Sequence, residues 1–148
     1  SVERDIELEI RKPHAVRPWQ FVLEPLRGYI ELAERAHAGE SGIDSAWNFG
    51  PDEASARTVG EVIETFAEAC SLRKPARIRF GSTQPQPHEA TLLKLDTSKA
   101  RTHLNWRPRV DFNDALKWTA DWYRAYLEGR DLRALSERQL QQYRENHS

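Results

Sequence analysis

The chain predicts a helix-rich α/β fold with a few short strands, and three observations carry that expectation. Apolar residues recur at spacings of three and four over residues 23–37, 58–70 and 112–127, the period of a helix with one buried stripe. Shorter stretches around residues 6–10, 47–51 and 76–80 alternate or run apolar and stop at Gly or Pro, the pattern of short strands. A length of 148 residues is that of one ordinary domain, long enough to bury a core without disulfides or a metal. Residues 1–148 are therefore expected to form a single unit.

Ile6, Leu8 and Ile10 alternate with charged neighbours, which predicts a half-buried first strand ending at Lys12-Pro13. A loop holding Arg17-Pro18-Trp19-Gln20 follows. Leu26, Tyr29, Ile30, Ala33 and Ala36 then mark the inner face of a helix over 23–37, with Pro25 in the first turn, where its missing N–H costs little. Trp47-Asn48-Phe49-Gly50-Pro51 reads as a short buried strand. Thr58 and Glu61 offer a capping box for a helix that reaches about Cys70 and turns Val59, Val62, Ile63, Phe66 and Ala67 inward.

Residues 76–80 alternate again and lead into a loop punctuated by Pro85 and Pro87. A short helix from Thr97 is expected to end near Trp106-Arg107-Pro108. A strong amphipathic helix over 112–127 packs through Leu116, Thr119, Trp122, Tyr123 and Tyr126, and Gly129 suits its C-terminal cap. The polar tail keeps Leu132, Leu135, Leu140 and Tyr143 for a last helix packed on its parent, with Ser136 and Gln139 as its capping box.

Composition narrows the function. The 22 Lys+Arg against 23 Asp+Glu give a net charge of −1, which argues against a nucleic-acid binder and a polybasic membrane-surface protein, so any anion site is local. One cysteine, Cys70, makes no internal disulfide and fits a reducing compartment, with the cytoplasm the expected location. No apolar run approaches the roughly 18–20 residues of a bilayer span, and the first residues lack the plan of a signal peptide. A chain with no Met that starts at Ser1 reads as a piece of a longer protein.

Several chemistries have no residues to run them. The seven glycines form no dinucleotide or P-loop pattern, so NAD and ATP have no cradle in this chain. No tyrosine has a lysine four residues later, no Gly-x-Ser-x-Gly elbow occurs, and His14, His37, His88, His103 and His147 form no close pair beside the single cysteine. No catalytic residue and no metal site is expected.

The residues suited to binding are few. Arg17 lies next to Pro18 and close to Trp19, a loop able to present a guanidinium fork and a ring together, as phosphate and sugar recognition require; a surface Arg beside a buried Trp is the simpler reading of the same types. His88-Glu89 follows Gln86-Pro87 in a loop, where binding groups concentrate. Arg77 and Arg79 share a strand face near Arg73 and Lys74 and offer a basic patch or a solvated face. Trp118 and Trp122, four apart, are read as core.

In order along the chain, Arg11-Lys12-Pro13-His14-Ala15-Val16-Arg17-Pro18-Trp19-Gln20-Phe21-Val22-Leu23-Glu24-Pro25-Leu26, Trp47-Asn48-Phe49-Gly50-Pro51, Pro87-His88-Glu89-Ala90, Leu93-Lys94-Leu95-Asp96, Ser98-Lys99-Ala100 and Leu104-Asn105-Trp106-Arg107-Pro108 resemble the C-terminal part of CDP-glucose 4,6-dehydratases, members of the extended short-chain dehydrogenase/reductase superfamily. The run Arg17-Pro18-Trp19-Gln20-Phe21-Val22-Leu23-Glu24-Pro25 is its most specific piece.

The resemblance implies the C-terminal substrate-binding portion of an extended short-chain dehydrogenase fold, with the Rossmann half outside this chain. That half would bind NAD and carry the catalytic residues, and the whole enzyme would be a homo-oligomer. It further implies a reaction in which hydride leaves C4 of CDP-glucose, water leaves across C5 and C6, and hydride returns to C6, giving CDP-4-keto-6-deoxyglucose. Arg17 matches an arginine that contacts the diphosphate. Gln86, His88 and Glu89 fall where related enzymes hold the nucleotide and ribose, with Gln86 in place of an arginine. Trp19 and Glu24, in the signature run, are implied as pocket neighbours, with bracing of the loop as the alternative for either. Another nucleotide-sugar dehydratase or epimerase, or a non-catalytic interaction module, are the alternatives. The usual Leu-Gly-Trp is Leu104-Asn105-Trp106 here, which questions a glycine-dependent turn.

Overall fold

A computed structural model describes residues 6–70, 77–81 and 92–146. The described elements are β1 (Leu8–Ile10), β2 (Val16–Pro18), α1 (Leu23–His37), one 3₁₀ turn (Glu53–Ser55), β3 (Ala56–Thr58), α2 (Val59–Cys70), β4 (Ile78–Phe80), α3 (Ser98–His103), α4 (Phe112–Leu127) and α5 (Leu132–Glu145). The strands form two small pairs. β1 runs parallel to β4, with Glu9 opposite Arg79, and β2 runs antiparallel to β3.

The helices start and stop where their ends can be satisfied. Thr58 N–H and hydroxyl donate to Glu61 Oε2 at 2.8 Å each, and Glu61 N–H donates back to Thr58 Oγ1 at 3.2 Å, which is the expected capping box. Asp111 caps α4 by accepting from Asp114 N–H at 2.9 Å. At the other end Gly129, with φ +66°, lets its own N–H reach Tyr126 O and that of Arg130 reach Ala125 O, a Schellman closure that needs the left-handed residue.

Two cores hold the unit. Phe21, Val110, Ala115, Trp118 and Tyr143 pack α4 and α5 against the chain before α1, with Leu23 at the margin. Phe49, Ala100, Leu104 and Trp106 form the second, flanked by Leu32, Ile43 and Trp47. Cys70 closes α2 against α4, its thiol buried 3.7 Å from Ala120 O, and that burial pushes the thiol pKa up.

Four expectations are corrected. The inner face of α1 is built on Glu24 and Gly28, while Leu26, Tyr29 and Ile30 are 45%, 58% and 60% exposed. The helix packs by close approach at Gly28, where an added Cβ would lie 2.5 Å from the Phe49 ring. Residues 47–51 form no strand: Phe49 is buried by its ring, and its carbonyl is taken by Gln20 Nε2 at 3.0 Å. α4 packs through Ala115, Trp118, Ala120 and Ala125, leaving Tyr123 and Tyr126 about half exposed. The cap of α5 is Asp131, which accepts from Ala134 N–H at 3.0 Å; Ser136 lies within the helix, donating to Leu132 O and accepting from Trp122 Nε1–H.

Candidate functional site

β2 is the spine of the site. Its first residue, Val16, stands opposite Thr58 of β3 and also bridges in parallel to Leu92, with Leu93 N–H donating to Val16 O at 3.3 Å. The strand is thus flanked on both sides, and Arg17, next along it, is half-buried with its Nη1 donating to Val16 O at 2.9 Å. Pro18 ends the strand. Trp19 then turns its indole N–H onto Arg57 O at 3.0 Å, which fixes the ring against β3.

Trp19 lines a cavity of about 240 Å³ with Val62, Phe66, Phe112, Ala115, Leu116 and Gln20. Gln20 also borders a larger cavity of about 580 Å³ between the start of α1 and the α4–α5 pair, where Val22, Trp122, Tyr123 and Leu140 supply apolar walls. The Gln20 Oε1 atom is sealed and has no hydrogen-bond partner among the described residues.

Glu24 is spent on internal partners. It is fully buried, and its Oε1 accepts from the N–H groups of Arg109 and Val110 at 2.7 and 2.9 Å. Its Oε2 accepts from the Tyr143 hydroxyl at 2.8 Å and lies 3.8 Å from Arg27 Nη2. Burying a carboxylate is costly unless its oxygens are hydrogen-bonded, and both of these are. Glu24 therefore ties α1, the loop before α4 and α5 into one block, which is the bracing alternative for this residue.

Gln86, His88 and Glu89 lie outside the described residues. The described chain after them resumes beside the site, where Leu92 bridges to Val16, the neighbour of Arg17; before them, Gly81 N–H donates to Ile10 O at 2.8 Å at the end of the β1–β4 pair. Of the basic patch, Arg79 is paired with Glu7 and Glu9 at 3.0 and 2.6 Å, so its charge is offset across the β1–β4 pair. Arg73 and Lys74 also lie outside the described residues. Trp118 is core, as expected; Trp122 is half-buried and stacks on Tyr126, rings 6.1 Å apart and 5° from parallel. Among the described residues no group of His, Cys, Asp or Glu is placed to hold a metal ion.

One arginine escaped the sequence reading. Arg57 stands directly opposite Arg17, and nothing in the sequence pairs residues 16–18 with 56–58. The turn at Leu104-Asn105-Trp106 survives the loss of glycine: Asn105 adopts φ +52°, a conformation Asn tolerates better than other side chains, and the N–H groups of Leu104 and Trp106 both reach Ala100 O.

No family model matches the chain. It is 36% identical over 143 residues, 97% of its length, to the CDP-glucose 4,6-dehydratase of Salmonella typhimurium. It is 35% identical over 74% of its length to a dTDP-glucose 4,6-dehydratase from an Actinoplanes species, and 31% identical over 68% to UDP-glucuronic acid decarboxylase 1 of Arabidopsis thaliana. The chain spans only 39%, 31% and 20% of these relatives. Among solved structures, the UDP-glucose 4-epimerase of Thermotoga maritima, determined with UDP-glucose, matches with a TM-score of 0.62 at 23% identity, over 84% of this chain and 37% of that one. The fold is therefore that of the C-terminal part of an epimerase or dehydratase.

Proposed function

We propose that this chain is the substrate-binding part of a CDP-glucose 4,6-dehydratase, a lyase that converts CDP-glucose to CDP-4-keto-6-deoxyglucose. The observation that carries the reading is the 36% identity that runs through 97% of the chain. The NAD that supplies hydride chemistry in such an enzyme would be held outside these residues, because the chain has no glycine-rich turn to receive a pyrophosphate.

The chain's own residues do the binding. Arg17 on β2 offers a guanidinium to the diphosphate, and a charge-assisted contact in a half-buried position is stronger than one in open water. Trp19, pinned to β3, gives a fixed ring edge beside it. By the resemblance of their positions, Gln86, His88 and Glu89 are assigned to the nucleotide and ribose. In the cell the reading places the chain in the cytoplasm, in deoxysugar synthesis, as part of a homo-oligomer.

The relatives that act on dTDP- and UDP-sugars by name make base preference the deciding property. The test is a competition panel of cytidine, guanosine, thymidine and uridine diphospho-sugars, read by amide chemical shifts. A preference of about 10-fold or more for the cytidine ligand is expected, the order of discrimination that one or two hydrogen bonds supply. Preference for another base would transfer the chain to a different nucleotide-sugar enzyme. A shift with none of them would favour an interaction module.

A further inference from the structure

In an antiparallel pair, residues directly opposite each other project from the same face, with Cα atoms about 4.5–5.5 Å apart. Arg17 and Arg57 occupy such a position. Like charges set across from each other repel, and an anion that bridges two guanidiniums offsets that repulsion.

Arg57 is already held for such a contact. Its Nη1 donates to Ala54 O at 2.7 Å and to Ala56 O at 2.9 Å, and its guanidinium lies 5.2 Å from the centre of the Phe112 ring. These partners are neutral: they immobilise the guanidinium without cancelling its charge. Among the described residues Arg57 forms no ion pair. Glu61, whose carboxyl pKa is lowered by its bonds to Thr58 and, less strongly, by the charge of Arg57, is engaged by the Thr58 N–H and hydroxyl. The Trp19 indole, donating to Arg57 O at 3.0 Å, locks the two strands together at this point.

We propose that Arg57 is a second phosphate ligand, forming with Arg17 a two-guanidinium clamp for the diphosphate of the nucleotide sugar. This rests on the reading of Arg17 given above. A diphosphate ester carries a negative charge on each phosphoryl group, and two planar forks mounted on neighbouring strands can take one each. The clamp is indifferent to the base, so it supplies affinity and alignment and leaves discrimination to other residues.

The test titrates this 148-residue chain with inorganic pyrophosphate at low salt, in the wild type and in Arg57→Gln, Arg57→Lys, Arg17→Gln and Arg133→Gln. Arg133, on α5 with a side chain 89% exposed, controls for loss of one charge at a distance. Arg57→Gln is expected to weaken binding about 10-fold and Arg133→Gln by less than about 2-fold. Arg57→Lys, a point charge in place of a fork, should lose about 3-fold or more. Helical circular dichroism is recorded first, and if Arg57→Gln has unfolded, Arg57→Lys decides. Wild-type affinity in the folded Arg57 variants together with loss in Arg17→Gln would overturn the clamp and leave the proposed function standing. An equal loss in Arg133→Gln would also overturn it, reducing the effect to net charge. Failure of the wild type to bind pyrophosphate at all would remove both.

Discussion

At the scale of single residues, the network around Glu24 is the most exposed to test. Removing one member of a buried, fully partnered charge leaves the others unsatisfied, and here two backbone N–H groups and the Tyr143 hydroxyl depend on one carboxylate. Glu24→Ala is expected to cost about 3–5 kcal/mol, measured by urea unfolding; a loss under about 1 kcal/mol would mean that the brace is dispensable. Burial, and after it the bond to Glu24, push the Tyr143 hydroxyl up to about 12 from its ordinary 10. The folded chain therefore keeps a proton that the unfolded chain releases near pH 10. That contribution is complete below pH 10 and is lost as pH climbs toward 12. Stability should fall more steeply over this window in the wild type than in Tyr143→Phe, and parallel curves would contradict the assignment. Asn105, at φ +52°, should tolerate Gly with little change and lose about 1 kcal/mol on replacement by Ala.

At the scale of elements, α1 shows what periodicity can and cannot reveal. Its extent, Leu23–His37, follows from the spacing of its apolar residues, but its orientation does not. The face that looks apolar in sequence carries Leu26, Tyr29 and Ile30 outward, because the helix meets the second core through Gly28 and the Val110–Tyr143 side of the first through the buried Glu24 instead. Gly28 was the legible clue: a glycine in mid-helix is costly unless something must come close, and the Phe49 ring does. Two substitutions separate the faces. Gly28→Ala should lower stability by about 1–3 kcal/mol through overpacking, whereas Ile30→Glu should change it by no more than about 0.5 kcal/mol in this chain. The reverse order would restore the face the spacing suggested. The capping box of α2 and the glycine cap of α4 were readable because they are local. The Arg17–Arg57 pairing and the Trp47-to-Pro51 segment were not, because a strand's partner is a property of the fold.

At the scale of the whole chain, the two-stranded sheets and the outward apolar side chains belong together. Leu8 and Phe80 on the parallel pair are 39% and 45% exposed, Ile6 just before it is 56% exposed, and Val22 at the start of α1 is 60% exposed. Parallel strands are ordinarily buried on both faces, and exposed apolar surface of this kind marks contact sites. The chain alone is therefore expected to self-associate as its concentration rises, and sedimentation velocity that stays monomeric at high concentration would contradict this. Binding to half of a cleft should be weak, which favours a method that detects millimolar affinities. The most direct measurement is a titration of the isotopically labelled chain with CDP-glucose, followed by amide shifts and repeated on Arg17→Ala. Shifts are expected to cluster at Val16, Arg17, Trp19 and Arg57, with GDP-mannose giving weaker ones and the mutant none. A wild-type spectrum unmoved by millimolar CDP-glucose, or shifts that survive Arg17→Ala unchanged, would contradict this.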